Sequence, residues 1–228
     1  SEDLDAVVHD EHRQYLTKVT KEAGFALTGK VFGLLFGFIA QAAFARLLGA
    51  DVLGVFVLSW TIVFGVTTIT SFGFENSLVR FISRYVASGR SGMARSSLLL
   101  GVRFTIVASL VGTVLLIVFR NPIAYRFFNE PRLSEALLWV SLAVIPYSLM
   151  RVFAGALRAL KDILRMTLGF DTSHRVFRFA LFLVFYYTGF RLLGLVWATV
   201  LACVLSGLLL VYFLRKRGAS IFGPSAEA

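Results

Sequence analysis

The 228 residues are 57% hydrophobic and only 16% charged, with 23 phenylalanines and a net charge of +10. A mean hydropathy of +0.79 excludes an ordinary soluble globular domain. The positive balance, which would suggest nucleic acid in a soluble chain, is first weighed as a signal of membrane orientation, and no nucleic-acid partner is expected. The chain reads as an all-α polytopic membrane protein. Its single cysteine, Cys203, sits in an apolar run and indicates no redox compartment.

Residues 1–23 mix acids and bases, with Val7, Val8, Tyr15, Leu16 and Val19 at roughly helical spacing. This predicts an amphipathic lead-in on the cytoplasmic surface of the membrane and no cleavable signal peptide. His9-Asp10-Glu11-His12 reads as a solvated stretch rather than a metal site, since no further ligands stand at a defined spacing. No metal and no cofactor are expected.

The first membrane helix is predicted over 24–48. Gly29, Gly33 and Gly37 recur every four residues, a small-residue row that invites the close approach of another backbone. Lys30 and Gln41 fall on nearly one face beside that row. A break at Arg46 to Gly54 leads into a second helix, 55–73, whose Thr61, Thr67, Thr68 and Thr70 can bond back to their own backbone. The two helices form a tight hairpin. From Phe74 to Val86 the residues Phe74, Leu78, Phe81, Ile82 and Tyr85 share one face, with Arg80 and Arg84 elsewhere. Further helices are predicted over 97–119, 135–156 (kinked at Pro146), 176–190 and 192–214, followed by a basic tail, 215–228.

Six spans put both termini on one side. With Arg158, Lys161, Arg165, Arg175 and Arg178 assigned to the connection before the fifth helix, fifteen Lys and Arg lie on the terminal side against five opposite. The positive-inside rule then makes both termini cytoplasmic. Asp171 and His174, three apart on that connection, have no nucleophile motif nearby, so Asp171 is expected to cap the fifth helix and no enzyme is predicted.

Lys30, Arg103 and Arg151 remain inside helices, each about five or six residues from the cytoplasmic end. A cation at a helix centre costs about 3 kcal/mol by insertion scales. Either these stems reach the headgroups and anchor the protein, or they form a cationic collar at a cavity mouth, suited to an anionic headgroup. Folding the first hairpin about Asp51 puts Lys30 opposite Phe72, near Glu75, and suggests that Lys30 and Glu75 pair. Arg80 and Arg84 would hold anionic lipid or latch a gate.

Ala45-Arg46-Leu47-Leu48-Gly49, Gly54, Phe56, Phe72-Gly73-Phe74 and Leu78-Val79-Arg80-Phe81 stand in an order that resembles the N-terminal helices of the polysaccharide (oligosaccharide) flippase family. Phe128-Asn129-Glu130-Pro131, Gly155-Ala156-Leu157-Arg158 and Leu193-Gly194-Leu195 agree with it. That family belongs to the superfamily shared with multidrug and toxin extrusion transporters. The resemblance implies two six-helix lobes around a central cationic cavity, of which this chain holds one, and transport of oligosaccharide on a polyprenyl phosphate or diphosphate to the outer leaflet of the plasma membrane. Membrane lipids and a second lobe, from the same full-length chain or another copy, are the implied partners. The substrate residues expected are Lys30, Gln41, Arg103 and Arg151, with Glu75, Arg80 and Arg84 at a gate or lipid contact; only Arg80 falls on a matched position. A multidrug cation antiporter of the same superfamily, or a structural membrane subunit, is the alternative.

Overall fold

The computed structural model describes residues 24, 28–29, 31–71 and 74–218; Lys30 and the tail beyond residue 218 lie outside these, as do the side chains of Ser71, Phe74, Glu75 and Gly218. Among the described residues the chain is helical throughout, without strands.

Helix α1 (Val31–Leu48) turns into α2 (Ala50–Ser71) at Gly49 alone. Gly49 has φ +84°, a conformation open to glycine at no steric cost, and its N–H donates to the Ala45 carbonyl at 3.0 Å. The turn is therefore much shorter than the predicted break. Arg46 stays in α1 and Asp51 enters the first turn of α2, where its charge favours the helix dipole. Within α2 the hydroxyls of Ser59, Thr61, Thr67, Thr68 and Thr70 each donate to a carbonyl three or four residues back, which satisfies them in an apolar setting.

Amphipathic α3 (Phe74–Ala87) buries Leu78 and Ile82 and leaves Arg80, Phe81 and Arg84 exposed. It packs on α4 (Ser91–Asn121) and α6 (Val144–Ala159), and its Ser83 hydroxyl donates to the Ala159 carbonyl at 3.2 Å. Helix α4 continues through a π-helical segment, Pro122–Phe127. The fourth crossing then starts with Glu130 as N-cap and Pro131 at the first helical position, a residue pair suited to a helix start. It runs as α5 (Pro131–Val140), a 3₁₀ turn (Ser141–Ala143) and α6. The irregular turn falls where Pro146 cannot donate to the Leu142 carbonyl and its ring crowds it.

The fifth crossing departs most from the sequence reading. It begins at α7 (Ile163–Met166), passes through a π-helical segment (Thr167–Thr172) and ends with α8 (Ser173–Tyr187), one helical run over 163–187 rather than 176–190. Asp162, not Asp171, is its N-cap: the carboxylate accepts from the Arg165 backbone N–H at 3.3 Å and from Arg165 Nη1 at 2.8 Å. At 1.5 Å per residue the run is about 37 Å long, enough to span. A turn through Gly189, φ +91°, leads to α9 (Leu192–Gly218). Helix α8 packs along α9, and Gly194 lets the Phe185 and Phe190 β-carbons come close.

Among the described residues, five stretches are long and apolar enough to cross a membrane: Val31–Leu48, Ala50–Thr70, Ser91–Phe127, Pro131–Ala159 and Leu192–Arg217. The run over 163–187 makes the sixth passage, more polar than the others and packed against α9 and α6. Among the described residues, the two larger of three apolar clusters hold most of the bundle. One joins Phe44 of α1, Phe56 and Val63 of α2, Phe182 of α8 and Leu195 of α9; the other joins Leu78 and Ile82 to Met150, Leu157 and Leu210. The outer faces of α1 and α4 expose large apolar side chains, among them Phe38, Ile39, Leu100 and Val107, as a lipid-embedded protein requires.

Candidate functional site

Three consecutive features of the fifth crossing converge on the bundle interior: Asp171–Thr172 at the end of the π segment, His174–Arg175 at the start of α8, and Arg178 one turn on. Arg175 is twelve residues beyond Ile163, about 18 Å along the axis and near the middle of the passage. A π segment adds a residue to the turn, so it resets which face the residues after it present.

Arg175 points at α1. A β-carbon at Gly33 would lie 2.7 Å from Arg175 Nη1, and one at Gly37 would lie 3.3 Å from Arg175 Cδ. Two of the three glycines in the row thus face an arginine side chain rather than another backbone, the bare Cα letting it lie close against α1. Arg175 Nη2 stands 4.0 Å from Asp171 Oδ1, while Nη1 is buried without a hydrogen-bond partner. Arg178 sets its guanidinium carbon 5.7 Å from the Phe44 ring centroid, and its Nε is likewise buried and unpartnered. A cation–π contact contributes about 0.5–2 kcal/mol, less than the cost of about 3 kcal/mol for a guanidinium at a membrane centre. The pair is left with unmet capacity for a negative charge.

His174, buried on the adjoining face, lies in an aromatic frame. Its ring stacks on Trp60 at 6.2 Å, sits 6.3 Å from Tyr147, and places Nδ1 3.9 Å from Cys203 Sγ. Trp60 and Tyr147 meet edge to face at 5.3 Å. Helices α2, α6, α8 and α9 are joined at this point.

Gln41 is half-buried one turn beyond Gly37 and three residues before Phe44, on the face of α1 that meets α8. Arg151, half-buried, donates from Nη1 to Thr68 Oγ1 at 3.5 Å and so links α6 to α2. Arg103 is exposed on the side of α4 opposite Gly101, Thr105, Ser109 and Gly112, which are buried, and so does not face this lobe's own interior. Arg80 and Arg84 are exposed one turn apart and line an open groove of about 650 Å³ with Ser77, Val79, Phe81 and Ser83. The suggested pairing of Lys30 with Glu75 lies outside the described residues.

Arg175 and Arg178 were assigned by sequence to a polar connection; they are inside a helix. The density of cations hid them. A signal was present in Asp162 three residues before Arg165 and in the apolar positions Ile163, Leu164, Met166, Leu168 and Phe170, which begin a helix before the cations arrive. Asp171, expected as a cap, is an intramembrane acid beside Arg175.

Solved structures share this lobe. One described as "MATE in the bent conformation" matches with TM-score 0.75 at 13% identity, covering 90% of this chain and 45% of that one. A MATE P26A mutant matches with TM-score 0.76 at 12% identity over 86% and 44%, respectively. The outward-facing form of a multidrug resistance MATE family transporter of the MOP superfamily matches with TM-score 0.71 at 14% identity over 85% and 45%. At such identities the likeness concerns the fold, and the chain spans less than half the length of each. No curated protein matches it. The sequence does match, over residues 19–226, the family model described as polysaccharide biosynthesis protein, and with that match spanning nearly the whole helical lobe, the chain belongs to this family.

Proposed function

We propose that this chain forms one lobe of a transporter that flips lipid-linked oligosaccharide, on a polyprenyl phosphate or diphosphate carrier, from the cytoplasmic to the outer leaflet of the plasma membrane. Both termini lie in the cytoplasm, and the lobe works by alternating access with a second six-helix lobe, from the same full-length chain or another copy. Moving Arg175 and Arg178 from the connection into a helix still leaves thirteen Lys and Arg on the terminal side against five opposite, which supports this orientation.

The observation that carries the substrate class is the charge of the helix interiors. Away from the helix ends, the crossings contain Arg103, Arg151, Arg175 and Arg178 against a single acid, Asp171, among the described residues. Cations in excess of acids are retained at such depth where they serve an anion. Lys30, Arg103 and Arg151 engage the phosphate, with Arg103, turned away from this lobe's core, contributing from the side open to a second lobe. Gln41 hydrogen-bonds sugar; Glu75, Arg80 and Arg84 form the gate or hold anionic lipid at the membrane surface.

The test is flipping of a fluorescent polyprenyl-diphosphate oligosaccharide by full-length protein in proteoliposomes. Lys30→Ala and Arg103→Ala variants that insert normally should lose most of the activity; full activity in both would sink the reading. A second reading, a multidrug cation antiporter, is favoured by Asp171, since an intramembrane acid is what coupling to H⁺ or Na⁺ needs. Cation-driven efflux of a cationic dye, abolished in Asp171→Asn, would decide for it.

A further inference from the structure

We infer that the corner where α6 ends, α7 begins and α9 ends is a docking site for an acidic phospholipid. Six cations meet there: Arg158 in the last turn of α6, Lys161 in the connecting turn, Arg165 in α7, and Arg215, Lys216 and Arg217 in the last turn of α9. All are exposed except the half-buried Arg165. Residues 155–168 and 206–218 carry one acid between them, Asp162. The corner is separate from the groove at Arg80 and Arg84, which is lined by α3 alone.

Asp162 gathers these cations and leaves most of their charge standing. Its Oδ2 lies 2.8 Å from Arg165 Nη1 and 3.8 Å from Arg217 Nε, which brings guanidiniums from the fifth and sixth crossings to one carboxylate oxygen. Two guanidiniums offer more N–H donors than one shared carboxylate can accept from, and the two side chains stay 33% and 48% exposed, respectively. Lys161 stands next to Asp162 in the turn, at φ +58°, and the turn is closed by the backbone N–H groups of Lys161 and Asp162 donating to the Arg158 and Leu157 carbonyls at 3.0 Å. The positive charge is therefore held in place by the fold.

The apolar surface beside it selects a lipid over a free phosphate. Ile163 and Leu164 are exposed directly after Asp162, Leu168 is exposed one turn on, and Tyr212 is exposed on α9 one turn before Lys216. Both crossings thus pass from exposed apolar side chains to cations within about a turn, the order that a phospholipid lying alongside presents, acyl chain and then phosphate. Basic clusters at the end of a membrane helix recognise acidic lipid, whereas a neutral headgroup would leave the excess charge unmet. A lipid seated here touches the end of the fourth crossing, the start of the fifth and the end of the sixth, so its binding is linked to the stability of their packing.

Thermal unfolding of the purified full-length protein in a neutral detergent, titrated with phosphatidylglycerol or with phosphatidylcholine of the same acyl chains, tests this without any transported substrate, so its result does not depend on the flipping reading. Phosphatidylglycerol should raise Tm saturably, and neither phosphatidylcholine nor soluble glycerol 3-phosphate should do so. Lys161→Gln and Lys216→Gln, both at exposed positions that the packing does not need, should each raise the half-saturating phosphatidylglycerol concentration about fivefold, the loss of one lysine's attraction at a lipid surface. Arg90→Gln, exposed between α3 and α4 at the same membrane surface, should leave that concentration unchanged. Equal shifts with the two lipids, a shift reproduced by glycerol 3-phosphate alone, unchanged midpoints in both lysine variants, or a loss in Arg90→Gln as large as in Lys216→Gln would overturn the proposal.

Discussion

Gly33 of α1 stands so close to Arg175 of α8 that a β-carbon there would lie 2.7 Å from the guanidinium. The row of glycines is a seat for a charged side chain. Because the crowding atom is the far end of a flexible side chain, a methyl group can be met by a small swing of Nη1, and alanine also favours the helix by about 1 kcal/mol. Gly33→Ala should therefore unfold within about 1 kcal/mol of wild type, whereas Gly33→Leu should lose about 1–3 kcal/mol by overpacking. Thermal unfolding in detergent measures both, and a Gly33→Leu protein as stable as wild type would show that α1 does not press on Arg175.

Asp171 and Arg175 are about one turn apart, half-buried, and 4.0 Å from each other. A double-mutant cycle of Asp171→Asn and Arg175→Gln should give a coupling of about 0.5–1 kcal/mol, small because the distance is long. Strict additivity would mean that Asp171 serves another partner.

Asp162 closes the start of the fifth crossing by accepting from the Arg165 backbone and side chain, with Arg217 Nε of α9 3.8 Å away. Asp162→Ala should cost about 1–2 kcal/mol. Asp162→Asn, which keeps the cap and loses the charge, should recover most of that; equal losses in the two would show that the ion pairs, not the cap, carry the contribution.

Gly169, in the π segment, would bring a β-carbon to 2.6 Å from Leu210 Cδ2 and 3.0 Å from Leu210 Cγ. The branch point of leucine cannot swing away as an arginine end can. Gly169→Ala should be destabilised by about 1–3 kcal/mol, and Leu210→Ala in the same chain should be less harmful than the two single losses combined. Additive losses would place the strain elsewhere.

Several elements were legible because a local rule decides them. The turn at Gly49 follows from a glycine between two apolar runs, and the back-bonded hydroxyls of α2 from threonines inside one of them. The exposure of Arg80 and Arg84 on α3 follows from helical spacing alone. Arg175 and Arg178 were not legible in the same way. Cation density at 158–178 resembles a solvated connection, and what makes those side chains tolerable inside a helix comes from far along the chain: Gly33, Gly37 and Phe44 on α1.

By itself the sequence determined that this is an all-α membrane protein with a tight first hairpin, since apolar length and glycine placement are local quantities set by the bilayer and the backbone. Only the tertiary structure decided where its intramembrane charge lies. A charged residue is admitted to a helix core by partners brought in from other helices, and contacts between residues more than a hundred positions apart leave no periodic trace in the chain.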